Sequence, residues 1–177
     1  RYRVGQSIYG AVEPSGDRLT VRSDGTLPWA WESAPLGALG EPVRGFDLVV
    51  DGVAAGVALD LREAGRLGVP ANGGVRNLVI GPGGAALAAL RAPRAGRPRL
   101  EVAELAWLET NPRTGAFVAE IGLAALSTGG GESPVAGGAF RGNVFELLAR
   151  AHLSTETDAG ALYRGPSAIR VDDIEIA

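Results

Sequence analysis

The sequence predicts an α+β domain dominated by antiparallel strands and completed by two or three short helices. Short apolar segments of strand type outnumber helical patterns, and turn sequences such as Asp51-Gly52 join them as hairpins. No repeated alternation of strands and helices with long crossovers is present, which excludes a parallel α/β design. The length of 177 residues suits one domain, with 46% hydrophobic and 21% charged residues, as in ordinary globular proteins.

Composition excludes several kinds of site. The chain has no Cys, so it cannot form disulfides, a thiolate zinc site or a cysteine nucleophile. A net charge of -3 argues against nucleic-acid binding, which usually needs a basic face. Apolar runs are too short for a membrane-spanning helix, so we expect no membrane partner and a cytoplasmic location. The chain contains no Met and begins at Arg1, which predicts a processed product, a trimmed chain or a fragment.

The N-terminal quarter is predicted to hold short strands among Gly- and Pro-rich turns. Residues 19–22 suit a strand because turn sequences flank them. Trp29 and Trp31 are separated by one residue, so on a strand both would face the same side. Two prolines and three glycines predict a loop over 34–45.

A hairpin and a helix come next. Asp51-Gly52 joins two apolar runs and predicts a type I′ turn in a hairpin over 46–59. Asp60 is a candidate N-cap and Gly68 a C-terminal stop, which predicts a helix over 61–67.

The middle of the chain is predicted to carry a long hairpin. A strand over 77–80 and an Ala-rich helix over 85–90 precede an Arg- and Pro-rich exposed loop over 91–99. The strands over 100–108 and 116–126 pair around a tight turn.

The first strand of that hairpin loses its alternation near Glu104, which predicts a bulge. After the hairpin, a Gly-rich loop over 128–132 and a strand over 135–140 are expected. A helix over 144–152 follows with Asn143 as its N-cap, and the last predicted strand covers 168–176.

The residues alone supply no complete catalytic set. His152 is the one His, and a structural role near a helix end fits it better than metal ligation. The segment 81–84 is Gly-rich but lacks the Lys-Ser/Thr ending of a phosphate-binding loop, so it is interpreted as a turn. Four carboxylates could pair across the long hairpin as acid and base, although solvated positions explain them as well: Glu101, Glu104, Glu109 and Glu120.

Several motifs, in order, resemble the C-terminal domain of the TldD/PmbA (TldE) family, the "modulator of DNA gyrase" metallopeptidases. The most specific is the segment 111–117, Asn-Pro-Arg-Thr-Gly-Ala-Phe, which is similar to the family's N-P-x-T-G-D-F turn. The hairpin and helix over 46–68, the Arg-Asn pair near 76, and the segments 131–135, 140–148 and 165–171 add to it. The motif positions that we expect to be structural, or to face peptide or partner, are Arg76, Asn77, Asn111, Thr114, Gly115, Gly142 and Asn143.

The resemblance implies a two-domain protein in which an N-terminal α/β domain, not in this chain, precedes the domain formed by residues 1–177. It also implies a heterodimer that hydrolyses unfolded peptides or processes peptide natural products. In that family a TldD-type subunit holds zinc through an H-E-x-x-x-H helix and a Cys near the C-terminus. A TldE-type partner lacks the metal site and helps to enclose the peptide.

This sequence departs from the family pattern where the metal-ligating Cys would fall, near 157–162, and Ala116 replaces the acidic residue of the turn. These departures favour a TldE-like subunit that is not catalytic alone. We therefore expect no cofactor in this chain, with zinc in the partner or in a missing domain. The expected partners are a TldD-like subunit or a second copy, and an extended peptide. Two alternatives stay open: a catalytic TldD-like protein, and a binding, scaffold or secondary-metabolism module.

Overall fold

The computed structural model describes residues 2–94 and 96–176. Three residues lie outside the described ranges: Arg1, Ala95 and Ala177. The first and last residues of the predicted 1–177 domain and one position of the predicted 91–99 loop are therefore not described. The described parts contain three helices, α1 (Leu61–Leu67), α2 (Leu87–Arg91) and α3 (Val144–Ala149). The strands found there are β1 (Val21–Asp24), β2 (Phe46–Val50), β3 (Val53–Ala54), β4 (Asn77–Ile80), β5 (Arg99–Thr110), β6 (Ala116–Thr128), β7 (Gly131–Val135), β8 (Ala139–Asn143), β9 (His152–Leu153), β10 (Thr157–Ala159), β11 (Tyr163–Pro166) and β12 (Ile169–Arg170).

Strands dominate the fold, which confirms the predicted α+β class with three short helices. One sheet has six strands in the order β10-β11-β4-β1-β2-β3, and its pairings are antiparallel except for the parallel pair β11–β4. A second sheet runs β5-β6-β7, with β8 also paired to β6, and β9 and β12 form a small third sheet. None of the helices within the described ranges has the length and apolar character needed to span a bilayer.

The first hairpin and α1 form as their local sequences predict. Asp51 and Gly52 have φ of 49° and 75°, the positive values that a type I′ turn requires. Asp60 caps α1 through a reciprocal capping box with Glu63, whose backbone N–H donates to Asp60 Oδ1 at 2.8 Å. Gly68 ends the helix in the left-handed conformation with φ of 66°. The second strand of the hairpin is shorter than predicted and ends at Ala54.

The long hairpin β5–β6 is the largest strand pair in the fold. Its register is irregular on either side of Glu104, so the predicted bulge is confirmed. Phe117, Ala119 and Ile121 alternate on one side of β6 and are buried, while the residues between them are exposed.

The structure departs from the sequence expectations for strands at two places. Trp29 follows Pro28 with a positive φ of 65°, so the tryptophans lie in turns and not on a strand. The strand expected over 135–140 is interrupted, because Gly137 and Gly138 take φ of 84° and 90° between β7 and β8. Left-handed backbone does not fit a regular strand ladder, so the ladder is interrupted opposite Ile121, and β7 and β8 follow each other along the same side of β6.

The last helix is also shorter than predicted. Although Asn143 caps α3 as expected, the helix ends at Ala149, and His152 lies on β9. The physical reason is tertiary: the N–H groups of residues 15 and 16 donate to the carbonyl of Ala149 at 2.8 and 3.0 Å. Capturing this carbonyl from another segment takes it out of the helical ladder. Of the predicted last strand, only β12 and a bridge at Ile176 form.

Candidate functional site

The seven motif residues fall into two clusters on different sheets. Arg76 and Asn77 lie at the start of β4 in the six-stranded sheet. The other five lie where the β5–β6 turn meets the end of β8, and they are Asn111, Thr114, Gly115, Gly142 and Asn143. The motif positions are thus brought together locally, but they do not form one site.

Asn77 is the anchor of the first cluster, with only 1% of its surface exposed. Its Oδ1 accepts a hydrogen bond from the Glu32 N–H at 3.0 Å. Its Nδ2 donates to the Asp24 carbonyl at 2.8 Å and to Ser33 Oγ at 3.0 Å. One buried amide therefore satisfies groups at both ends of the loop over 24–33 and holds that loop against the sheet.

Arg76 contacts residues at both ends of the same loop. Its backbone N–H donates to Ser23 Oγ at 2.8 Å, and its Nε donates to the Gly73 carbonyl at 2.9 Å. Its Nη1 lies 3.5 Å from the Glu32 carboxylate in an ion pair that solvent partly screens. Arg76 is thus already occupied by protein groups.

The loop held by Asn77 presents two tryptophans to solvent. Trp29 is 100% exposed and Trp31 is 80% exposed. The backbone N–H of Trp31 donates to the Ala161 carbonyl at 3.2 Å, which ties the loop to the turn between β10 and β11. Fully exposed indole rings are uncommon in isolated domains and are typical of surfaces that meet a ligand or partner. Their spacing is the one signal in the sequence, and it indicates a shared side only if the segment is a strand.

The second cluster is built on the β5–β6 turn. Asn111 Oδ1 accepts hydrogen bonds from the N–H groups of Arg113 and Thr114 at 2.9 and 3.2 Å, as in an Asx turn. The Gly115 N–H donates to the Asn111 carbonyl at 2.8 Å, and Gly115 takes a φ of 76°.

Asn143 joins this turn to α3. Its Nδ2 donates to the Thr114 carbonyl at 2.8 Å, while its Oδ1 accepts from the Phe145 N–H at 3.0 Å as the helix cap. A Cβ on Gly115 would lie 2.6 Å from the Phe145 ring, so only glycine fits between the turn and the helix. Gly142 pairs with Phe117 in the same ladder. Every polar group named here is used in a hydrogen bond inside the fold.

The segment 157–162 does not offer a set of metal ligands. Its one ligand-type side chain is Asp158, whose Oδ1 accepts a hydrogen bond from the Ala159 N–H at 2.8 Å. Burial, joined by the nearby Asp158 charge, raises the pKa of Tyr163. Across residues 2–94 and 96–176, no three His, Cys, Asp or Glu side chains are grouped as a metal would require. The residues of these ranges therefore do not fit a zinc ion.

The candidate acid–base carboxylates do not pair across the long hairpin. Glu120 lies opposite Trp107, and Glu109 lies opposite Val118. Glu101 instead forms an ion pair with the Arg91 guanidinium. This arrangement provides no acid–base pair of carboxylates at a common position.

The basic loop over 91–99 is neutralised by acidic residues. Arg94 contacts the Asp172 carboxylate, and Arg97 Nη1 lies 2.6 Å from Asp173 Oδ1. Burial opposes the charge on Asp172, but Arg170 and Arg94 outweigh it and hold the pKa of this carboxyl below its ordinary value. The prediction of a solvated loop is favoured over a phosphate-binding patch, because the arginines already have anionic partners.

The Gly-rich segment 81–84 packs against a carboxylate. A Cβ on Gly83 would lie 2.4 Å from Asp17 Oδ2, and the same oxygen accepts a hydrogen bond from the Leu153 N–H at 2.7 Å. An anion at this position would repel a phosphate group, so the interpretation of this segment as a turn holds.

Fold and site together define a strand-dominated α+β domain with two asparagine-anchored clusters and, in its described parts, no grouped metal ligands. The particular family follows from the sequence, which matches the PmbA/TldA metallopeptidase C-terminal domain over residues 13–177. The chain belongs to this family, which confirms the resemblance seen in its motifs. A comparison with curated protein sequences gave no match.

Solved structures share the fold. TldE from Thermococcus kodakarensis superposes with a TM-score of 0.75 at 22% identity, over 98% of this chain and 41% of that one. A candidate modulator of a DNA gyrase from Thermotoga maritima MSB8 gives a TM-score of 0.77 at 18% identity, over 98% and 41%. A similar candidate from Bacteroides thetaiotaomicron VPI-5482 gives 0.76 at 21%, over 98% and 38%. This chain thus spans about two fifths of the length of these proteins.

Proposed function

We propose that this domain belongs to a TldE-like, non-catalytic subunit that pairs with a TldD-like subunit to hydrolyse unfolded peptides or process peptide natural products. Zinc and the chemistry of peptide-bond cleavage belong to the partner in this proposal. The domain contributes a wall of the peptide site and a subunit interface.

One observation carries the proposal. The chain belongs to a metallopeptidase C-terminal domain family, yet the segment 157–162 has Asp158 as its one ligand-type side chain. That carboxylate accepts a hydrogen bond from the Ala159 N–H at 2.8 Å. A metal site built from this segment would need at least two further ligands.

The same segment supports peptide binding. β10 lies at an edge of the six-stranded sheet, and its three residues are exposed. An extended peptide can add to such an edge through backbone hydrogen bonds, which read no side-chain sequence. The backbone of Trp31 is tied to the turn after β10 through Ala161, so the loop that carries the exposed tryptophans meets the end of this edge strand. Indole rings can stack on many kinds of side chain.

The test compares the protein that carries this chain, alone and mixed with a TldD-like subunit from the same organism. We expect no stoichiometric zinc by elemental analysis and no cleavage of a fluorogenic unstructured peptide by the protein alone. The mixture should cleave it, and a chelator should stop the reaction.

Asp158→Ala provides the matched variant, because it removes the one ligand-type side chain of the segment. Zinc content should be the same in wild type and variant. One zinc per chain in the wild type, lost in the variant, would overturn the proposal. Chelator-sensitive cleavage by the protein alone would favour a catalytic subunit, and failure to bind either partner or peptide would favour a scaffold.

A further inference from the structure

One face of the long hairpin is apolar, acidic and exposed. We define the ribbon face by residues that lie on the same side of β5, β6 and β8. The register places Trp107 opposite Glu120, Glu109 opposite Val118, and Arg141 on the other side of Val118. Directly opposed residues share a face of a sheet, so these five side chains form one surface. Beyond the bulge, Glu104 and Leu123 oppose each other and continue it.

The apolar side chains of the ribbon face are open to solvent. Trp107 is 50% exposed, Val118 is 42% exposed and Leu123 is 50% exposed. The opposite side of β6 is buried, with Ala119 at 0% exposure. Strand β6 thus uses one side for the core and leaves the other uncovered. Contiguous apolar surface of this kind on a domain marks an interaction site more often than a solvated face.

Among the described residues, the carboxylates of the ribbon face have no cationic partner. In the part of the chain that the structure describes, no Arg forms an ion pair with Glu104, Glu109 or Glu120. Elsewhere on the same sheet, Glu101 and Glu132 are paired with arginines. The ribbon face therefore carries three uncompensated negative charges and one Arg.

We propose that the ribbon face is the docking surface for a non-identical subunit that presents an apolar patch rimmed by Arg or Lys. This inference rests on the proposed function and names the surface that the TldD-like partner meets. Charge selects the occupant: a second copy paired face to face would bring six carboxylates together with two arginines, whereas a basic rim would neutralise them. Trp107 lies among the acidic residues as the aromatic anchor, the residue type that dominates interface energetics.

Two variants test the face against a control. Trp107→Ala removes the anchor, and Glu109→Gln/Glu120→Gln removes two charges without changing shape. The control, Glu13→Gln/Asp51→Asn, makes the same change in net charge at exposed positions outside the ribbon face. Circular dichroism and thermal melts establish that each variant folds. Affinity for the TldD-like subunit is then measured by interferometry at low and high salt.

Trp107→Ala should weaken binding about tenfold or more. Glu109→Gln/Glu120→Gln should weaken it severalfold at low salt, and its salt dependence should be flatter than that of the control, which binds as wild type. Equal binding by wild type and both face variants would overturn the inference and leave the proposed function standing. If the wild type does not bind the TldD-like subunit, both fail together.

Self-association gives an independent readout. In sedimentation velocity, Glu109→Gln/Glu120→Gln should associate with itself more strongly than wild type or control, because repulsion falls while the apolar surface remains. Adding Trp107→Ala should reverse that gain. A wild-type homodimer that Trp107→Ala dissociates would show that the ribbon face takes a second copy, which would overturn the inference.

Discussion

Replacing Asn77 with Ala tests whether one buried amide holds the tryptophan loop. Three hydrogen bonds end on this side chain, from Glu32 N–H and to the Asp24 carbonyl and Ser33 Oγ. Each is a contact between groups far apart in sequence, so the substitution separates the loop from β4 without touching the loop itself.

The expected loss of stability follows from the number of bonds. A hydrogen bond of this kind contributes about 1 kcal/mol, so three give about 3 kcal/mol, and a small cavity adds to the loss. Asn77→Asp keeps Oδ1 but places a second carboxylate oxygen against the Asp24 carbonyl in a buried site, so it should cost more than Asn77→Ala. Ser33→Ala removes two bonds, the one from Asn77 Nδ2 and the one to the Leu27 carbonyl, and should cost about 2 kcal/mol. In the double variant with Asn77→Ala, about half of this cost should disappear, because the bond between the two side chains is already absent while the bond to Leu27 is still lost.

Urea unfolding followed by far-UV circular dichroism measures these differences in the free energy of unfolding, with the same dependence on urea concentration expected for each variant. Chymotrypsin cleavage after Trp29 and Trp31 supplies a local readout, and it should be faster in Asn77→Ala than in Ser33→Ala. A loss below about 1 kcal/mol in Asn77→Ala, with unchanged cleavage, would refute the reasoning.

Two further predictions concern the β5–β6 turn and the loss of stability at acidic pH. Gly115→Ala should cost about 2–4 kcal/mol in urea unfolding, because a left-handed residue gains a Cβ that lies 2.6 Å from the Phe145 ring. Gly40→Ala, with φ of 83° and open space around it, should cost only about 1 kcal/mol, and equal losses would contradict the packing argument. The depressed pKa of Asp172 means that its ion pairs stabilise the fold above the ordinary carboxyl value of about 3.9 and are lost as the pH falls through the folded-state value. Asp172→Asn should therefore be less stable than wild type in melts at pH 7, with the difference shrinking in acid, and a difference independent of pH would count against it.

Local signals explain what the sequence could predict. Asp60 and Gly68 define α1 by contacts within a few residues, and Asp51-Gly52 defines its hairpin by backbone conformation alone. Asn143 was predicted as a helix cap for the same reason. Its link to the Thr114 carbonyl spans 29 residues, and no local pattern reports such a contact.

Tertiary contacts explain what the sequence missed. The end of α3 depends on hydrogen bonds from residues 15 and 16, so His152 was assigned to the wrong element. Thr157, Asp158 and Ala159 are all exposed, and a three-residue strand without alternation carries no strand signal. The uncovered ribbon face could not be separated from a core strand, because Trp107 and Leu123 belong to apolar runs of the same kind that build the interior.

The parallel pairing of β4 with β11 has a consequence for how the chain folds. Tyr163 pairs with Leu78, so the two strands that meet are more than eighty positions apart. While the protein is being synthesised, β4 can gain β1 on one side early, but its other side stays open until residues 163–166 leave the ribosome. Closing such a long loop is slow, and an unpaired strand edge is prone to aggregation in the meantime. Residues 163–166 therefore decide when β4 is protected from pairing with other molecules, and refolding should be limited by this late strand.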